Sequence, residues 1–279
     1  MNSNVAQARE ALGARLRELR RDAELNGQQL ADRCGWSPSK VSRYEHGRQN
    51  VTEEDIRVWC AATGAEVQVQ DLIATVRNIH AAYMEWRRIL AAGHARRQQQ
   101  GIARDQATRL TRWYETELIP GLLQTRDYAT AVLYACREVI DGPDDLDAAV
   151  AARMLRQQVL SAGVHRFTFL LTEQCLYTRV GGPEVMAEQL HVLLEVHHNP
   201  RVSLRIIPRD VEFRYPSTNF VLFDRTAVQV ETIAAELTIT QPREIALYEK
   251  VFDLLATQAV TGDSARALIT AALDQLGIA

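Results

Sequence analysis

Leu12, Leu16 and Leu19 recur at spacings of four and three with arginines between them, the stripe of an amphipathic helix. A second helix is predicted over "GQQLADRC", opened by Asn26 as N-cap and carrying Leu30, Ala31 and Cys34 on one face. Gly35 closes it, because glycine enters the left-handed region without strain. In the third helix Ser37 is the cap, Pro38 takes the first helical position, Val41 and Tyr44 point inward, and Gly47 is placed to end it. A fourth, capped by Thr52, runs through Ile56, Trp59, Cys60 and Thr63. Leu72, Val76, Ile79, Tyr83, Trp86 and Leu90 then follow at spacings of 4, 3, 4, 3 and 4, a seam of under three heptads in a long fifth helix. That seam fits either packing on the preceding helices or the rear domain, or a dimer contact.

The pattern changes toward the rear. The polar, basic stretch "GHARRQQQGIARDQ" reads as a linker, residues 93–106, between a first domain at 1–92 and a second at 107–279. "TRLTRWYETELIPGLLQTRDYATAVL" reads as helix, an Ile-Pro-Gly break, and helix again, with Thr125 placed to cap the helix that holds Tyr128. Residues 147–162 form a further helix with Arg153 and Arg156 on one side. "RFTFLL" (166–171) and "VSLRIIP" (202–208) read as strands joined through a helix, a βαβ unit with parallel neighbours and a right-handed crossover. Residues 219–224 and 227–232 form a hairpin, and helices at 242–258 and 264–276, the latter capped by Asp263, finish the chain. The predicted fold is multidomain: an all-α domain, then an α/β domain with flanking helices.

Charge sharpens this division. The whole chain carries a net −3, but residues 1–112 hold 18 Arg+Lys against 13 Asp+Glu, and residues 113–279 hold 14 against 22. A front at +5 and a rear at −8 imply different partners for each. On the third helix Ser39, Ser42, Arg43 and His46 share the outer face, with Lys40 on its flank: two cations and no acid, as the major groove requires. Arg43 can present a bidentate fork to guanine, the serines can reach base edges or phosphates, and Arg15, Arg17 and Arg48 are candidates for phosphate at the groove edge. Basic residues are almost all arginine, only Lys40 and Lys250 being lysine, a bias given little functional weight at this level.

"LNGQQLADRCGWSPSKVSRYEHGR" resembles the helix-turn-helix of the XRE class, the phage-repressor-like transcription factors. The resemblance implies a phage-repressor-like fold for the front domain and DNA contacts at Gln28, Ser37, Ser39, Lys40, Ser42, Arg43, His46 and Arg48. Where that class usually carries a phosphate-binding glutamine, this chain has Gly27, and Gln28 is the candidate substitute. "ELIPGLLQTRDYA", "AARMLRQQVL", "LTEQCLYTRVGGPEVMAEQLHVL" and "VETIAAELT" are similar to the effector domain of actinobacterial regulators of the WhiJ type. That likeness implies a DNA-binding regulator that works with a small co-encoded partner protein in an antitoxin-like arrangement, and the leading expectation is a homodimer on double-stranded DNA. A small-molecule effector is the other candidate for the rear domain.

Catalysis is not expected. No G-x-S-x-G, P-loop or G-x-G-x-x-G occurs. The strand-helix-strand order is similar to phospholipase-D-like sensor folds, but no histidine has a lysine two positions on. His191 and His198 lie two turns apart, which favours surface histidines over a metal site, and no cofactor is expected. Cys34, Cys60, Cys136 and Cys175 form no C-x-x-C and read as buried free thiols. With no apolar run near the roughly 18 residues of a membrane span and no signal-peptide core, a cytoplasmic protein is expected. Gln124, Thr125 and Tyr128 are weak candidates for facing a partner or ligand; a structural corner is the commoner role for such residues, as a turn is for Gly181 and Gly182.

Overall fold

The computed structural model describes residues 3–81, 84–85, 93–139, 143–215, 217–233 and 235–277. They form two compact units, Met1–Tyr83 with Thr238–Glu244, and Met84–Leu237 with Ile245–Ala279. The chain is multidomain, helical at the front and α/β behind.

The first unit holds α1 (Ser3–Asp22), α2 (Gly27–Cys34), α3 (Pro38–Glu45), α4 (Glu53–Thr63) and α5 (Val69–Ala81). Leu12, Leu16, Leu19, Leu30, Val41, Tyr44, Ile56 and Trp59 make its core, each at a position that helical spacing turns inward. Leu72 and Val76 of the heptad seam are buried in the same core. Tyr83, Trp86 and Leu90 lie outside the described residues, as does the side chain of Ile79. α1 meets the end of α3 backbone to backbone. A Cβ on Gly13 would stand 2.5 Å from the Tyr44 carbonyl oxygen and 2.6 Å from that of Glu45.

The second unit contains β1 (Met84–Glu85), α6 (His94–Ala107), β2 (Leu110–Glu115), α7 (Arg126–Val139), α8 (Leu146–Arg156), β3 (Arg166–Thr172), α9 (Pro183–Glu195), β4 (Val202–Ile207), β5 (Phe220–Phe223), β6 (Ala227–Glu231) and β7 (Ala235–Ile239), followed by α10 (Pro242–Ala256) and α11 (Gly262–Gln275). Its strands form one sheet in the order β1-β7-β6-β5-β2-β3-β4. β3 and β4 are parallel around the α9 crossover, and β5 and β6 pair antiparallel as the expected hairpin. Phe167, Phe169 and Leu171 pack one face of the sheet against Met186 and Leu190 of α9 and Ile269 of α11. On the other face Phe220 meets Tyr248 and Phe252 of α10 edge-on.

Four sequence expectations need correction. Residues 93–106 are not a linker: they lie in α6, whose buried stripe is His94, Gln98, Gly101 and Asp105. The spacing is helical but the stripe is polar, so a search for apolar periodicity passes over it. Residues 110–115, expected as helix, are the strand β2, held between β3 and β5. Its alternation is hidden because charged residues lie inside, Arg112 pairing with Glu249 of α10 and Glu115 accepting from the Trp113 indole N–H at 2.9 Å. β7 was not anticipated at all. Asp263 is in the first turn of α11, whose N-cap position is Thr261 without a side-chain hydrogen bond. Of the cysteines, Cys60 and Cys175 are buried, Cys34 is half-buried and Cys136 is exposed.

Gly13→Ala tests the close approach. Alanine is favoured over glycine by about 1 kcal/mol inside an exposed helix. Here two carbonyl oxygens occupy the methyl's space, and overpacking of this kind costs about 1–3 kcal/mol. The expected outcome is a lower urea midpoint for the first unit, followed by tryptophan emission, while Gly27→Ala, with no neighbouring atom within 4 Å, leaves it unchanged or raises it.

Candidate nucleic-acid interface

α2 and α3 are short, so their ends decide their geometry. Asn26 Oδ1 accepts from the Gln29 N–H, and the Asn26 N–H donates to Gln29 Oε1, both at 2.9 Å, a complete capping box. Gly35 stops α2 at φ +67°. Ser37 Oγ then accepts from the Lys40 N–H, and Pro38 begins α3. Between the two helices Trp36 packs edge-on against Tyr44, with ring centroids 5.8 Å apart.

Each end of α3 is tied by a buried carboxylate. Asp55 of α4 accepts from the Lys40 ammonium near the start of α3 at 2.9 Å, from the Tyr44 hydroxyl near its end at 2.8 Å and from the Thr52 hydroxyl at 2.5 Å. Burial pushes the Asp55 carboxyl up, but the hydrogen bonds from Thr52, Lys40 and Tyr44 outweigh it and hold it down at about 2. At the far end Glu45, only 8% exposed, accepts from Arg20 Nε at 2.6 Å, Arg20 Nη2 at 3.0 Å and Arg17 Nε at 3.0 Å. Burial opposes its ionisation and the two guanidiniums reverse the effect, so its carboxyl sits below the ordinary range. Arg20 also donates to the Leu25 carbonyl at 2.7 Å, joining α1, the turn before α2 and α3 in one contact.

Ser39, Ser42, Arg43 and His46 are exposed on the outward face of α3. Arg43 Nε donates to Gln49 Oε1 at 2.8 Å, which steadies the side chain and leaves its two terminal amino groups for a bidentate contact. Ser37 and Ser39 hydroxyls lie 3.0 Å apart. His46 Nε2 accepts from Arg17 Nη2 at 2.8 Å, so the proton sits on Nδ1, which donates to the Ser42 carbonyl at 2.7 Å. Arg48 is exposed beside this face, and Gln28 is exposed on α2, donating to Asp32 Oδ1 at 2.8 Å.

Two candidates are placed differently from the expectation. Lys40 is not free on the flank: its ammonium points inward to Asp55 and lies 4.0 Å over the Trp36 ring. Arg15 does not join the cluster, because it stands about 200° around α1 from Arg17 and binds Glu18 and Gln68 at 2.7 and 2.8 Å. Sequence reasoning missed Glu45, Asp55, Arg20 and Gln49, the groups that hold the exposed face of α3 in place. The S/T-x-x-D spacing of Thr52 and Asp55 is the one local signal among them.

In the second unit Gln124, Thr125 and Tyr128 face inward. Gln124 donates to the Ile119 carbonyl at 2.7 Å, and Tyr128 Oη accepts from the Ile119 N–H at 3.2 Å. Thr125 caps α7 through the Tyr128 N–H, and its own N–H donates to the buried Gln189 at 2.7 Å. With exposures of 5%, 8% and 0% these three residues build a corner and offer no partner surface.

A family model described as a helix-turn-helix domain matches residues 11–72, from α1 into α5. A second, described as a domain of unknown function (DUF5753), matches residues 98–271, more than half of the chain. The chain belongs to the DUF5753 family. The helix-turn-helix makes the first unit of this DUF5753 chain that of a DNA-binding regulator. No curated protein and no solved structure gives a significant match. No helix among the described residues is long and apolar enough to cross a membrane.

The Asp55 cluster predicts acid sensitivity in the first unit. A carboxyl at 3.8 when unfolded and about 2 when folded contributes its stability above pH 3.8 and loses it as pH falls through about 2. The amount is roughly 2 kcal/mol. Urea midpoints measured across that window fall more steeply for the wild type than for Asp55→Asn; parallel curves would count against the cluster.

Proposed function

We propose that the chain is a sequence-specific transcriptional regulator that binds double-stranded DNA as a homodimer and acts by binding, not catalysis. α3 enters the major groove, and two half-sites about 34 Å apart are read by the two copies. Ser39, Ser42 and Arg43 address base edges, while Arg17, Arg48, Ser37 and Gln28 address phosphates. The observation that carries this reading is the exposed polar face of α3, fixed at both ends by buried carboxylates, with Arg43 exposed and its Nε held by Gln49. The second unit receives an effector, a small partner protein or a ligand, which changes DNA affinity by binding the two states of the dimer unequally. Its sequence likeness to WhiJ-type effector domains supports this. The working location is the cytoplasm.

Arg43→Ala weakens the footprinted operator by about 1–3 kcal/mol and changes non-specific binding little. Equal operator affinities for mutant and wild type would remove Arg43 from the base-reading set. Arg48→Ala weakens all sequences alike and lowers the slope of log K against log salt by about one. An unchanged slope would take Arg48 off the phosphate backbone.

A further inference from the structure

Arg43 lies in the last turn of α3, and the chain that leaves that helix comes back to it. Gly47 stands at φ +63°. Its N–H donates to the Tyr44 carbonyl at 3.1 Å, and the Arg48 N–H donates to the Arg43 carbonyl at 2.9 Å. That pair of bonds around a left-handed glycine is a complete Schellman motif. The turn is also held from outside. A Cβ on Gly47 would stand 2.8 Å from the Glu10 backbone nitrogen and 2.9 Å from the Arg9 carbonyl carbon, both in α1. With the turn fixed in this way, Gln49 is delivered to the side of Arg43.

The contact between them has a direction. Arg43 Nε donates to Gln49 Oε1 at 2.8 Å, and no other hydrogen bond or ion pair holds the Arg43 head among the described residues. A guanidinium can grip a flat pair of acceptors end-on, through its two terminal nitrogens, or side-on, through Nε and one of them. With Nε occupied, the end-on grip remains, and guanine offers it O6 and N7 in the major groove. Ordering a long exposed side chain costs affinity when a complex forms, and a side chain already held avoids part of that cost. Gln49 is itself half-buried, unlike the exposed Arg43, so it is the steadier of the two.

We propose that Gln49, which lies outside α3, is a positioning residue that makes Arg43 select guanine. It turns the guanidinium end-on before DNA arrives. This deepens the reading of α3 as the element that enters the major groove, and rests on it.

The test uses the full chain and duplex DNA. An operator is selected from random duplexes with the wild type. The base pair whose change weakens the wild type but not Arg43→Ala is the one that Arg43 reads, and the expected base is guanine. Guanine is then replaced there by 7-deazaguanine, which lacks the N7 acceptor, and by adenine. The affinity ratio of guanine to either replacement falls roughly two- to tenfold in Gln49→Met and in Gln49→Ala, while non-specific affinity and the slope of log K against log salt stay as in the wild type. A merely structural role for Gln49 would instead weaken every sequence together. Gln49→Glu keeps the acceptor for Nε and so keeps the guanine ratio, while its added negative charge weakens all duplexes alike. In an Arg43→Ala background, Gln49→Met changes the ratio no further.

An unchanged ratio in Gln49→Met and Gln49→Ala, a lost ratio in Gln49→Glu, additive effects in the double variant, or a base other than guanine overturns the assignment and leaves Arg43 as a reader. If no base pair depends on Arg43, or the chain binds no duplex, the reading of α3 falls and this assignment with it.

Discussion

The exposed polar face of α3 depends on the contact between α1 and the carbonyl end of that helix. α3 has eight residues, well below the roughly 12–15 at which isolated helices become even marginally stable. Its orientation is therefore imposed from outside. Gly13 lets the α1 backbone reach the last carbonyls of α3, and Glu45, the last residue of that helix, is drawn under Arg17 and Arg20. A buried carboxylate is costly unless its hydrogen bonds are complete. Three guanidinium bonds to Glu45, and the Tyr44 hydroxyl and Lys40 ammonium bonds to Asp55, meet that condition, Lys40 holding the start of the helix. A helix tied at both ends spends little entropy when it docks.

What was legible in the sequence is what is decided locally. Asn26, Gly35, Ser37, Pro38 and Thr52 set the ends of helices through atoms within a few residues of themselves, and all five sit where their chemistry placed them. The βαβ unit and the hairpin were legible because each strand carries apolar residues in alternation or in a short run. β2 was not, because its partners lie more than fifty residues away on β3 and more than a hundred away on β5, and because Arg112 is neutralised by Glu249 from the far end of the chain. α6 is hidden in the sequence for the same reason. Its inward residues are polar, and only the presence of Arg156 and Glu236 makes their burial tolerable. The outward serines, Arg43 and His46 could be placed by helical angle. That Lys40 turns inward could not, because Asp55 and the Trp36 ring decide it.

Charge summed over a domain therefore says little about charge at a site. The second unit, residues 84–237 and 245–279, holds 20 Arg+Lys against 23 Asp+Glu, a net −3, yet its interior gathers Arg97, Arg104, Arg153 and Arg156 along α6 and α8. The acids that set the sign are spread among exposed positions such as Asp144 and Glu212, where water screens them. The cations lie where screening is weak and each one is felt.

The scarcity of lysine, of little weight while only the sequence was in view, takes on meaning here. Arg20 bonds both oxygens of Glu45 and the Leu25 carbonyl at once. Arg156 grips both oxygens of Asp105. An ammonium offers no planar fork and is more strongly hydrated, so neither position would tolerate lysine without loss of geometry and a larger desolvation cost. Lys40 is informative because it differs: it reaches a single oxygen of Asp55 and rests on the Trp36 ring, a role that a compact charge fills. Whatever process enriched the chain in arginine, the buried positions require it.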